Sequence, residues 1–115
     1  MADVLVDTDL FVDHLRGAHP LHVGKHRISY SVVTLAELVA GTSATATVVE
    51  LLAAFRARPV DAAIAERAGR IRRESGILLP DALIAATALE HRLGLATRNR
   101  RHFERVRGLR FRTLP

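Results

Sequence analysis

Three acids and one amide hold the positions where this chain can do chemistry. Asp7 follows the apolar run Val4-Leu5-Val6, and Glu37 stands in the first turn of the helix expected after a second apolar run. Asp81 lies just past Pro80 at the head of an alanine-rich helix, and Asn99 follows Leu95-Ala96-Thr97. If those apolar runs are parallel strands, all four junctions face one edge, outside the carboxyl ends of the strands. Open α/β proteins bind their ligands there. Carboxylates gathered at that edge repel one another unless a cation sits among them, and an all-oxygen set suits a hard ion such as Mg²⁺ or Mn²⁺. Such an ion polarises a phosphodiester and activates a water for in-line attack. Asp7, Glu37 and Asp81 are therefore the candidate metal ligands, and with Asn99 the candidate catalytic set. Thr8 and Thr97 are placed to hydrogen-bond these carboxylates from behind.

Each residue also has a purely local reading. Asp7 and Asn99 are ordinary turn formers. Thr34-Leu35-Ala36-Glu37 fits a capping box, in which Glu37 only satisfies a backbone N–H. Asp81 suits the positive end of a helix dipole. Four independent accidents at one edge are less economical than one site. Asp9 could join the metal site, although a solvated turn acid is the simpler reading, and His102 could touch a phosphate, although a surface histidine is the simpler reading. The histidines at 14, 19, 22, 26, 91 and 102 show no zinc-type spacing.

The elements that must position these residues follow from periodicity. Val4 to Val6 is a strand, followed by a short helical patch from Leu10 to Leu15. Ile28 to Val33 is β-branched and aromatic, hence a second strand, leading into a helix from Leu35 to Ala40. Gly41 to Thr47 reads as a loop. Val48, Leu51, Leu52 and Phe55 follow i, i+3, i+4, i+7 spacing, a helix ending before Pro59, whose apolar face could pack on the sheet or receive a partner. Ile64, Ala68 and Ile71 repeat that spacing in a helix stopped by Gly76. The next helix runs from Asp81 to Leu93, closed by Gly94, and is apolar nearly all round, so it is central and buried. Leu95 to Thr97 is a strand, and Leu109 to Leu114 alternates as an edge strand does. Strand–helix alternation predicts an α/β fold with a mostly parallel sheet.

The 115 residues suit one compact domain over 1–115, and 49% hydrophobic content is enough to bury a core. There is no cysteine, which excludes disulfides, Cys-ligated zinc and a Cys nucleophile. No basic leader and no run long enough to span a membrane are visible, so a cytoplasmic protein without membrane contact is expected. The net charge of +5 is unevenly spread. Residues 1–91 hold nine basic against eleven acidic residues, whereas 92–115 hold eight arginines against Glu104 alone. Such a segment favours a polyanion. Arg98, Arg100 and Arg101 are the candidates for positioning such a polyanion through its phosphates without reading bases.

Val4-Leu5-Val6-Asp7-Thr8, Thr34-Leu35-Ala36-Glu37-Leu38, Pro80 to Ala88 and Ala96 to Phe103 together resemble the ordered motifs of PIN-domain ribonucleases, and among them the VapC-type toxins of toxin–antitoxin pairs. The resemblance runs from about Val4 to Phe111, with Pro80–Ala88 its most specific part. It implies a three-layer α/β/α domain and a Mg²⁺- or Mn²⁺-dependent endoribonuclease leaving 5′-phosphate and 3′-hydroxyl ends. It also implies a homodimer held inactive by a cognate antitoxin. Asp7, Glu37 and Asp81 take the places of the first three metal-binding acids and Asn99 that of the fourth. The sequence departs from the pattern at Asn99 and at His102, where the family often has acids, so a second metal ion is expected to bind weakly. The Gly41–Thr47 region is also short for the family.

Two rivals belong to other classes. A non-catalytic nucleic-acid-binding module would use the arginine-rich end, with the acids as caps. Asp7-Thr8-Asp9 also resembles the start of haloacid-dehalogenase-type phosphatases, but that chemistry needs a downstream lysine, and Lys25 is too early.

Overall fold

In the computed structural model, which describes residues 2–115, the strand β1 (Asp3–Val6) divides the core in two. Successive side chains on a strand face opposite ways. Leu5 joins one apolar cluster while Val4 and Val6 join the other, all three fully buried. Burial of each such side chain is worth roughly 1.5–3 kcal/mol. The first cluster holds the helices α4 (Ala62–Ser75) and α5 (Leu79–Glu90) against the sheet, through Ile64, Ala68, Ile71, Ile84 and Ala85. The second holds α1 (Thr8–Leu15), α2 (Val32–Ala40) and α3 (Thr45–Leu52), through Phe11, Leu38, Val48 and Leu52. The result is the expected α/β/α sandwich.

The sheet has four strands in the order β3 (Arg56–Arg58), β2 (Arg27–Ser31), β1, β4 (Gly94–Ala96), all parallel. The chain moves from β1 outward to β2 and β3, then returns to the far side of β1 for β4. The strand order therefore reverses between β1 and β4, and a crevice opens at their carboxyl ends. Asp7 N–H donates to the Ala96 carbonyl at 2.9 Å, which locks the two ends together.

Several boundaries differ from the sequence reading. The second strand stops at Ser31, whose hydroxyl caps α2 by accepting from Val33 N–H at 3.1 Å. Val32 and Val33 are β-branched and pattern as strand, but the cap turns them into the first helical turn. Glu37 consequently lies in the second turn, not the first. The capping-box reading fails because the cap is Ser31, while Thr34 is wholly buried. β3 was not expected. Its Arg-Ala-Arg carries no strand pattern, and it forms by backbone pairing to β2, helped by Arg58 Nε donating to Ser29 Oγ at 3.1 Å. The face Val48/Leu51/Leu52/Phe55 packs inward, with the Phe55 ring 5.9 Å from that of Phe11, so it is not an exposed receiving surface. The edge strand expected over 109–114 reduces to one parallel bridge, Leu95 to Phe111, because β4 is only three residues long.

α5 ends at Glu90, and Gly94 is not its cap. Arg92 adopts the left-handed conformation (φ 54°), with Arg92 N–H reaching the Leu89 carbonyl at 3.3 Å and Leu93 N–H the Ala88 carbonyl at 2.8 Å. This is the Schellman pattern, with arginine where glycine is usual. Arg92→Gly is expected to stabilise the protein by roughly 0.5–1 kcal/mol in urea denaturation, since the side chain strains this conformation. A loss of stability would contradict that account. Gly94 serves another purpose: a Cβ there would sit 3.1 Å from Arg112 Cβ, so glycine lets the 110–112 segment lie close against β4.

Candidate active site

β1 delivers Asp7 to the crevice and α1 begins at the next residue. One Asp7 oxygen caps α1, accepting from Thr8 N–H at 2.8 Å, and the other accepts from Thr97 Oγ1 at 2.8 Å. The side chain is 6% exposed. Burial pushes its carboxyl up to about 7, with the Asp9 charge adding to the rise; the Thr97 and Thr8 hydrogen bonds pull back, and Asp81 pushes up again.

Asp9, read from sequence as a solvated turn acid, is instead built into the site. Its Oδ2 accepts from Arg98 N–H at 3.0 Å and Asn99 Nδ2 at 3.2 Å and lies 3.2 Å from Thr97 Oγ1. The single Thr97 proton has its shorter contact with Asp7. The other Asp9 oxygen, Oδ1, is buried with no hydrogen-bond partner. A buried carboxylate oxygen without a donor is unfavourable by about 1–3 kcal/mol or more.

Asp81 occupies the third position of α5, just after Pro80, and is half-buried. Burial raises its pKa, the nearby His102 opposes the rise, and Asp9 adds to it. His102 thus acts electrostatically on the site although it is exposed. Glu37 is exposed on α2 and accepts from Thr8 Oγ1 at 2.8 Å. The Thr8 proton being committed there, the buried Thr34 hydroxyl donates to Thr8 Oγ1 at 2.9 Å. Thr8 and Thr97 therefore do touch the carboxylates, and a relay of two hydroxyls orients Glu37 from the core.

Asp7, Asp9 and Asp81 form a mutually repelling set, with Glu37 one threonine away. Among the described residues no three acids or histidines are drawn together into a ready-made cage. Carboxylates of like charge keep their distance until a cation offsets them. Mg²⁺ asks for little more than one or two carboxylates, keeping several waters. The orphaned Asp9 Oδ1 and the oxygen-only donor set fit such an ion.

The three arginines singled out from sequence have different surroundings. Arg98 Nη1 grips both oxygens of the buried Asp13 at 2.6 and 2.7 Å, so it ties the loop after β4 to α1. Its Nη1 is engaged in this ion pair while 54% of the side chain stays exposed. Arg100 stacks over Phe111, 5.3 Å from the ring centre, with Nη2 donating to Thr113 Oγ1 at 2.7 Å. Arg101 is exposed in the 3₁₀ turn Arg100–Phe103. Asn99 lies at the start of that turn, bonded to Asp9 rather than to Asp7 or Asp81.

The fold and motif order can be set beside known proteins. The chain matches the PIN domain over residues 4–109. Ribonuclease VapC10 of Mycobacterium tuberculosis is 43% identical, with 87% of this chain and 85% of that protein covered. A toxin–antitoxin complex from Klebsiella pneumoniae contains a chain of similar structure, with TM-score 0.74, 30% identity and coverage of 92% and 94%. VapBC-5 from Mycobacterium tuberculosis superposes with TM-score 0.73 at 27% identity, covering 99% and 98%. VapBC2 from Rickettsia felis shares the fold, with TM-score 0.77, 20% identity and coverage of 98% and 99%. The chain belongs to the PIN-domain family, among its VapC-type members.

Proposed function

We propose that this protein is a divalent-metal-dependent endoribonuclease and the toxin half of a toxin–antitoxin pair. The observation that carries the reading is the mutually repelling set of buried Asp7 and half-buried Asp9 and Asp81 at the crevice between β1 and β4, with Asp9 Oδ1 left without a donor. Asp7, Glu37 and Asp81 would hold Mg²⁺ or Mn²⁺, with Asp9 beside them. The ion supplies a polarised phosphodiester and a more acidic water. The chain's own residues do the rest. Thr97 aims Asp7, Thr8 and Thr34 aim Glu37, and Asn99 holds Asp9 at the fourth corner. Arg100 and Arg101 are the arginines of this loop left to meet the RNA backbone. The relatives found as toxin–antitoxin complexes support an antitoxin partner, and the motif resemblance supports a homodimer. A groove of about 340 Å³ between α1, α2 and α3, lined by Val12, Leu15 and Leu38 together with Arg16, Glu37 and Thr47, suits an amphipathic segment of that antitoxin.

Incubation of purified protein with total RNA tests this reading. Cleavage should require Mg²⁺ or Mn²⁺, stop with EDTA, resume on adding excess Mn²⁺, and leave 5′-phosphate ends. Cleavage that persists in EDTA would contradict it.

A further inference from the structure

Beside the carboxylates, on the α1 side of the sheet, lies a cleft of about 650 Å³. Thr97 forms part of its wall, and the same hydroxyl binds Asp7 and approaches Asp9, so the cleft opens from the site itself. The charged and titratable side chains of its lining are Arg100, Arg112, His19 and His22, none of them acidic, and Pro115, the last residue described, lines it as well with its α-carboxylate. The rest of the lining sets Leu10, Leu21 and Leu114 beside the hydroxyls of Thr97 and Thr113.

The two arginines are placed by structure. Arg100 is braced from below by the Phe111 ring and from the side by the Thr113 hydroxyl. Arg112 N–H donates to the Leu95 carbonyl at 2.9 Å while Leu95 N–H reaches the Arg110 carbonyl at 2.8 Å, so its backbone is an extension of the sheet. Gly94 permits that approach. The Arg112 residue is exposed and, among the described residues, no acid forms an ion pair with it.

We propose that this cleft holds the single-stranded RNA backbone on one side of the scissile phosphate, with Arg112 and Arg100 contacting successive phosphates; the proposal rests on the nuclease reading above. Arginine's planar fork matches phosphate oxygens. A protein reading a duplex inserts an element into the nucleic acid's groove, whereas here the concavity is on the protein and takes a strand. Leu10, Leu21 and Leu114 give sugars and bases an apolar surface that does not read them, so this part of the track is tolerant of sequence.

The test is fluorescence anisotropy of a labelled 12-nucleotide single-stranded RNA with the full chain in EDTA, over a range of salt concentrations. Arg112→Gln should weaken binding about fivefold, the size of one screened charge contact. The slope of log affinity against log salt should become shallower by about 0.7, one phosphate on a single strand. Arg112→Lys should retain the slope, and His22→Gln should weaken binding less than Arg112→Gln. Arg73→Gln, on α4 in the opposite layer, should change neither quantity. An unchanged slope in Arg112→Gln overturns the proposal, as does an equal loss for a 12-base-pair duplex DNA. Because the measurement needs no cleavage, a protein that binds this way yet never cuts RNA would sink the nuclease reading alone. One that cuts RNA with Arg112→Gln binding unaltered would sink the cleft alone.

Discussion

Asp7→Asn is expected to abolish RNA cleavage and, at the same time, to make the metal-free protein more stable at neutral and alkaline pH. Loss of even an outer partner of a metal site reduces affinity or activity 10–100-fold, so loss of a ligand should lower cleavage by about 100-fold or more. The stability gain follows from the site's electrostatics. Asp7 has its carboxyl raised from 3.8 to about 7 by burial and by its acidic neighbours. The folded state therefore holds this proton more tightly than the unfolded state. That contribution to stability is complete below about pH 4 and is lost as pH rises past about 7. The shift is on the order of 4 kcal/mol at most. The amide keeps the geometry, its oxygen accepting from Thr8 N–H, and carries no charge to desolvate. In urea denaturation with EDTA, wild type should lose stability between pH 4 and pH 8 while Asp7→Asn stays flatter and exceeds it at pH 8. A variant less stable than wild type at pH 8 would show that Asp7 serves the fold rather than the ion.

The second large effect is an asymmetry between two partners. Asp13 has a 7% exposed side chain while that of its partner Arg98 is 54% exposed. Arg98→Ala leaves a buried carboxylate without a counter-charge and should destabilise by about 3 kcal/mol or more, as breaking buried pairs does. Asp13→Ala leaves an arginine that turns to water, so its cost should be about half that. Both loosen the segment whose Arg98 N–H and Asn99 side chain hold Asp9, so both should lower cleavage as well. Equal and small losses, below about 0.5 kcal/mol in urea denaturation, would mean the pair is screened like an ordinary surface bridge.

The residues that were legible in sequence are those whose position follows from the end of a strand or the start of a helix. Asp7 after Val4–Val6 and Asp81 after Pro80 needed only local pattern. The two apolar layers were legible for the same reason, since Ile64, Ala68 and Ile71 repeat at helical period. What was not legible depends on distant partners. Asp9 sits beside the candidate site rather than in solvent because Thr97, Arg98 and Asn99, about ninety positions away, close over it. The ion pair of Arg98 with Asp13, eighty-five positions away, is likewise invisible to local pattern. β3 has no pattern to read, being an edge strand formed by its neighbour's backbone. Ser31 was a readable cap, but the β-branched pair behind it argued for strand and local capping prevailed.

The central claim is that the acids at the crevice between β1 and β4 bind a divalent cation. Titration of the purified protein with Mn²⁺, followed by electron paramagnetic resonance of the free ion, measures this without reference to any RNA. The account predicts saturable Mn²⁺ binding by wild type, severely weakened in Asp7→Asn and in Asp81→Asn, and retained in Arg112→Gln. Binding that is undiminished in both acid variants, or RNA cleavage by a protein that binds no Mn²⁺ or Mg²⁺, would contradict it.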